Sequence, residues 1–200
     1  MDRTQTLSFF DALLEIFTRE EQPLNALDAQ IGDGDHGTTI LRGMLAAHTS
    51  AHASASLRPG PMLLEAATAF QKATGGAGGT LFAQLFKGLG TAAGGAKALD
   101  REIIARGLAD ACRLVQKLGR ARRGDKTMFD ALEPASLILT EGKPVADAAA
   151  AACSGVEATR DMSAALGRAR FVADGGRGHY DPGAWSIALI LEELSRQFTP

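Results

Sequence analysis

Leu7-Ser8-Phe9-Phe10-Asp11-Ala12-Leu13-Leu14-Glu15-Ile16-Phe17 decides the fold class, because Leu7, Phe10, Leu13, Leu14 and Phe17 recur at the three-and-four spacing of a single helical face. The same spacing recurs outward from this stretch. Alanine, leucine and charged residues dominate, and β-branched and aromatic residues are sparse, so the whole chain reads as all-α. The periodicity predicts helices over residues 4–20, 22–30, 36–50, 60–73, 79–94, 100–119, 126–140, 145–166 and 183–198, with the first two able to merge across Pro23. Asp100, Asp125 and Asp181 read as N-caps, the last followed by Pro182 at the first helical position. Eight or nine amphipathic helices with short connections imply an antiparallel bundle or a closed helical ring, with functional residues gathered at one rim.

The bulk properties agree with one globular domain over residues 1–200. The chain is 46% hydrophobic and carries a formal charge of −2. Its Lys and Arg residues are scattered apart from Arg120-Ala121-Arg122-Arg123, which leaves no broad footprint for nucleic acid. No apolar stretch reaches membrane-spanning length and the start lacks the apolar core of a secretory signal, so the expected location is the cytoplasm. Cys112 and Cys153 lie far apart in apolar helical patterns and read as small core residues rather than a disulfide or metal pair. The alanine tract from Ala148 to Ala152 is an ordinary helix former.

The chemistry concentrates in Leu27-Asp28-Ala29-Gln30-Ile31-Gly32-Asp33-Gly34-Asp35-His36-Gly37-Thr38-Thr39, which holds three carboxylates and no Lys or Arg. Two unit charges about 4 Å apart repel by roughly 4 kcal/mol at an effective dielectric of 20, so converging Asp side chains oppose folding unless a cation lies between them. Hard oxygen ligands without Cys point to Mg²⁺ or Ca²⁺, and Mg²⁺ takes further ligands from water and substrate phosphates. Gly32-x-Gly34-x-x-Gly37 fits a dinucleotide fingerprint literally, but Asp33, Asp35 and His36 fill its variable positions and no β-branched strand precedes it. An EF-hand fails as well, with Thr38 where the sharp-turn glycine belongs and Met44 at the twelfth position. The plain alternative is that these Asp residues are solvated turn and cap residues.

Gly75-Gly76-Ala77-Gly78-Gly79-Thr80 precedes the helix expected from Leu81, presenting bare backbone N–H groups at the positive end of a helix dipole. A flexible interhelical turn explains the same glycines. Gly124-Asp125-Lys126-Thr127-Met128-Phe129-Asp130 opens another helix, and Gly167-Arg168 with the loop from Gly175 to Gly183 supplies arginines suited to phosphate.

Taken together, Asp28-x4-Asp33-x-Asp35-His36-Gly37, Gly75-Gly76-Ala77, Gly124-Asp125-Lys126-Thr127-Met128, Gly167-Arg168 and Asp181-Pro182-Gly183 follow one another as in the nucleotide-binding L subunits of dihydroxyacetone kinases, the DhaL family, which this chain resembles over residues 28 to 184. The resemblance implies a ring of eight antiparallel helices with ADP and two Mg²⁺ ions at one end. It makes Asp28, Asp33 and Asp35 the metal ligands, and His36, Gly37, Thr38 and Thr39 nucleotide contacts at the following helix start. Ala77 and Gly78 would cradle phosphates, Gly119 and Met128 would border the adenine, and Arg168, Asp181, Pro182 and Gly183 would complete the pocket, with Arg168 as the catalytic group. The family's usual Gly-Gly-Ala-Ser-Gly run has Gly78 in place of Ser here, so a hydroxyl contact to phosphate is lost or supplied by Thr80.

By the same resemblance, the held ADP takes a phosphoryl group from an M-type phosphotransferase-system protein, and the resulting ATP passes it to dihydroxyacetone on a separate K-type subunit. Neutralisation by Mg²⁺, Arg168 and loop N–H groups would supply the catalysis, with no nucleophilic side chain. Because this chain lacks a K domain, the phosphotransferase-linked arrangement is expected. The alternatives are the nucleotide subunit of an ATP-dependent two-subunit kinase for another small sugar such as erythrulose, and a nucleotide-loaded module that docks on a transcription regulator. A helical scaffold with vestigial loops would bind no nucleotide. Neither direct nucleic-acid binding nor a membrane is expected.

Overall fold

The computed structural model describes residues 1–198, and these form eight α-helices with no strand among them: α1 (Arg3–Asp28), α2 (His36–Ala53), α3 (Pro59–Thr74), α4 (Gly76–Ala93), α5 (Arg101–Gly119), α6 (Phe129–Thr140), α7 (Val145–Thr159) and α8 (Pro182–Arg196). Each helix packs on the next and α8 returns to α1, which closes a ring. None of the helices among the described residues is long and apolar enough to cross a membrane.

The ring is antiparallel, as its connections show. The α1–α2, α3–α4, α5–α6 and α7–α8 connections all line one cavity. Contacts at the opposite rim join the other connections: the Met1 ammonium donates to Leu99 O, and Arg3 Nε donates to Ser56 O. Between the rims lies a core that includes Phe9, Phe10, Phe17, Phe70 and Phe86, all 1% exposed or less. The Phe86 ring packs 5.5 Å from that of Phe10 and 6.0 Å from that of Phe70, tying α4 to α1 and α3.

Local sequence explains most boundaries. Asp2 and Gln5 form a reciprocal capping box at the start of α1. Asp100 and Asp181 cap α5 and α8, accepting from Ile103 N and Ala184 N at 2.7 Å each. The stretches expected over residues 4–20 and 22–30 merge across Pro23 into α1, because its apolar stripe continues to the buried Leu24.

Three expectations are corrected. Asp125 is not a cap: its carboxylate accepts from Arg122 N, while α6 begins only at Phe129 and the carboxylate of Asp130 satisfies Gly124 N and Thr127 N. The helix expected to run to residue 166 stops at Thr159, whose carbonyl accepts from Lys126 Nζ at 2.6 Å. The glycine run is itself the first turn of α4, which starts at Gly76 rather than 79. Cys112 and Cys153 are free and half-buried at the edge of the core, as expected of small apolar fillers.

Candidate functional site

The site is assembled at one rim by four connections around a cavity of about 480 Å³. On its acidic side, one oxygen each from Asp28, Asp33 and Asp35 lies within 4.8 Å of the other two. Asp28, the last residue of α1, organises the loop by accepting from Gly34 N at 2.8 Å and Asp35 N at 3.0 Å. Asp33 and Asp35 remain exposed. The turn needs Gly34, whose φ of +78° suits a residue without Cβ.

Arg168 is salt-bridged to Asp33 across the opening. Beneath that bridge, buried Ile31 packs with Ala164 and Ala169, a small apolar cluster that seats the 160–170 segment on the acidic loop. Both partners of the ion pair are well exposed, so it holds weakly, and neither side chain is committed to it.

Opposite the carboxylates stands the glycine turn. Gly75 and Gly76 have φ of +62° and +64°, and a Cβ on Gly75, Gly76 or Gly78 would meet no atom within 4 Å. The turn is therefore glycine by conformation at 75 and 76 and simply open at 78. Arg42 fixes its approach by donating to Ala73 O at 2.9 Å and Thr74 O at 3.4 Å. Thr80 does not line the cavity; its hydroxyl donates to Gly76 O at 2.9 Å.

The cavity floor is His36, Phe82, Met128, Pro182 and their neighbours. His36 Nε2 lies 2.9 Å from the Ser186 hydroxyl, and its ring packs 5.7 Å from that of Phe82. Burial lowers its pKa to about 4, against the pull of Asp28, Asp35 and the Pro182 backbone, so the ring is neutral near pH 7. Asp181 shows the opposite shift for the same leading reason. Burial raises its pKa to about 7, with Asp130 and Asp28 adding to the rise while the Ala184 N–H and Lys126 oppose it.

Lys126 and Asp130 escaped the sequence reading as site residues. Lys126 is 2% exposed with φ +60°, and its ammonium donates to Thr159 O and His179 O, bracing α7 and the segment before α8. Burial lowers its pKa, while Asp181, Asp130 and Asp161 pull it back up. A lysine following Gly-Asp was visible in sequence, but its burial depends on helices distant along the chain.

Of the candidate residues, Asp28, Asp33, Asp35, His36, Thr39, Ala77, Gly78, Met128, Arg168, Asp181, Pro182 and Gly183 all line this one cavity. Gly37, Thr38 and Gly119 do not. A Cβ on Gly37 would stand 2.0 Å from Glu21 O, so this glycine permits the close crossing of α1 and α2. Thr38 N donates to Asn25 Oδ1 at 3.1 Å and its hydroxyl to Glu21 Oε1 at 2.9 Å, both facing α1. Gly119 packs against Leu81.

The fold is thus a closed helical ring that brings convergent carboxylates and a bare glycine turn to one cavity. Residues 30–196 match the DAK2 domain, and the chain belongs to that family. It is 36% identical to a D-erythrulose kinase of Mycolicibacterium smegmatis over 93% of this chain and 34% of the relative. It is 34% identical to an L-erythrulose kinase of Pectobacterium atrosepticum over 92% of this chain and 33% of the relative, so the chain spans about a third of the length of both kinases. The ADP-binding subunit DhaL of the PEP-dependent dihydroxyacetone kinase of Escherichia coli is 31% identical, with 98% of this chain and 97% of the relative covered. The dihydroxyacetone kinase of C. freundii, solved in complex with AMP-PNP and Mg²⁺, superposes with a TM-score of 0.73 at 28% identity, over 96% of this chain and 33% of that one.

Proposed function

We propose that this chain is the ADP- and Mg²⁺-binding subunit of a cytoplasmic dihydroxyacetone kinase, relaying a phosphoryl group from an M-type phosphotransferase-system protein to a small ketose held by a K-type subunit. The observation that carries this reading is the carboxylate trio of Asp28, Asp33 and Asp35 facing the Gly75–Gly78 turn across one cavity. The donor set fits the group: all-oxygen ligands on one side suit Mg²⁺, and open backbone at a helix start on the other suits a diphosphate. The nearly full-length similarity to the Escherichia coli ADP-binding subunit supports the same assignment.

Asp28, Asp33 and Asp35 would hold two Mg²⁺ ions, and Ala77 and Gly78 the phosphates. Bound there, the metal would supply Lewis-acid neutralisation of charge on the transferring group. The chain's own residues do the rest. The Arg168–Asp33 pair is exposed and loosely held, so Arg168 is available to steady charge on the transferring group. His36 stays neutral and offers no competing cation. Met128, Phe82 and Pro182 supply an apolar wall for the base and, with Leu166, exclude water. Gly37, Thr38 and Gly119 support this arrangement through packing.

Mass spectrometry of the natively purified protein with a metal count tests the cofactors, and retained ADP with about two Mg²⁺ is expected. Reconstitution tests the relay: transfer to dihydroxyacetone should require both a K-type subunit and a phosphorylated M-type donor. The identities to two erythrulose kinases favour a second reading, in which exchangeable ATP serves an erythrulose-type acceptor. Rapid ATP exchange with transfer independent of the M-type donor would select it.

A further inference from the structure

At the other end of α2 a second group of ligand-type side chains converges, outside the cavity. His48 and His52 stand one turn apart, and both present Nε2 to the same oxygen, Oδ1 of Asp11 on α1, at 2.9 and 2.7 Å. The three candidate ligand atoms all lie within 4.8 Å of one another. Two of the four histidines in the chain meet here. Their rings are 4.4 Å apart between centroids.

We propose that Asp11, His48 and His52 form a binding site for a borderline divalent transition metal of the zinc class, stapling α1 to α2. Two imidazole nitrogens with one carboxylate oxygen is a donor set that suits such ions, whereas Mg²⁺ and Ca²⁺ prefer the all-oxygen trio at the rim. Tetrahedral zinc with bonds near 2.0 Å places its ligands about 3.3 Å apart, so each imidazole nitrogen needs to draw back from Asp11 Oδ1 by about half an ångström, and all three ligand atoms already lie within 4.8 Å of one another. All three are partly exposed, with side-chain exposures of 26% for His48, 41% for His52 and 49% for Asp11, which permits that movement and gives an ion access from solvent. The fourth position falls to water. From His36 to His48 the helix rises about 18 Å at 1.5 Å per residue, so this site is separate from the rim and does not rest on the proposed kinase role.

Zinc titration of the full chain in excess Mg²⁺ tests the site by calorimetry, thermal melting and the visible spectrum of the Co²⁺ form. Expected are one Zn²⁺ per chain, a raised Tm, and the intense absorption of four-coordinate Co²⁺. All three should be retained in Asp33→Asn, while in His48→Ala/His52→Ala the affinity should drop by at least about 100-fold, more than the loss of an outer-shell partner causes. The single variant His52→Ala, at an exposed position, should lose the same signals with unchanged helicity. Zinc binding that persists undiminished in the histidine variants, or that is absent from the wild-type chain in excess Mg²⁺, overturns the assignment and leaves the trio a hydrogen-bonded contact between two helices.

Discussion

At the acidic loop Asp33 and Asp35 stand exposed beside Asp28, with an exposed arginine as the bridging cation; at the α5–α6 connection, Lys126 and Asp130 are each only 2% exposed, and protein hydrogen bonds satisfy them. The buried pair is committed to structure, because Lys126 ties three backbone segments together and Asp130 closes the turn before α6. The acidic loop is not committed in that way. Its carboxylates keep unused coordination capacity and an exchangeable partner, which is what a group waiting for a soluble cation requires.

Substitution on the two sides should therefore have opposite signatures. The largest stability effect is expected from Lys126→Met, which leaves the carbonyls of Thr159 and His179 without their donor and should cost about 3 kcal/mol in urea unfolding, the scale for breaking a buried charged network. Asp33→Asn should weaken ADP binding in Mg²⁺ by at least tenfold, about 1.4 kcal/mol, while changing neither helical content nor urea stability by more than about 1 kcal/mol, since its ion pair is exposed. If Asp33→Asn unfolds the protein, or Lys126→Met leaves stability intact, the comparison fails.

Asp181 spans the two sides, since it caps α8 and also lines the cavity. Asp181→Ala should cost about 1 kcal/mol through the lost cap, so any activity loss in that variant must be corrected for stability. Its raised pKa has a definite sign. With a value about 7 in the folded protein against 3.8 as the ordinary value, the folded state retains the proton through that window, so the contribution of Asp181 is present below about pH 4 and is lost as pH rises toward 7. Asp181→Asn keeps a capping oxygen and removes the titration, so unfolding at a series of pH values should show the variant gaining on the wild type across that window. Smallest is Gly78→Ser. With open space for the side chain, it should stabilise the first turn of α4 by about 0.5 kcal/mol or less and improve nucleotide affinity modestly, as a restored hydroxyl contact would.

The all-α fold and the caps at Asp100 and Asp181 were legible because period and capping chemistry are local. So were the carboxylate trio and the glycine turn, whose residues are close in sequence. What escaped reading was set at a distance. α7 ends where Lys126 captures the Thr159 carbonyl, and Gly37, Thr38 and Gly119 pack against neighbours on other helices that the local sequence did not reveal. Asp125 and Asp130 compete for the same turn, and only the folded chain shows that Asp130 takes the backbone donors. Two histidines one turn apart on α2 were visible, but Asp11, which they meet, lies 37 and 41 residues away in sequence.

On the proposed reading, the acidic rim accepts a nucleotide only together with divalent metal. Calorimetric titration of the full chain with ADP, first in Mg²⁺ and then after chelation, decides this. Tight binding in Mg²⁺ that falls by at least about 100-fold on chelation is the predicted result, since three carboxylates then face a diphosphate without a counter-charge. Equal affinity in both conditions, or no binding in either, would contradict it.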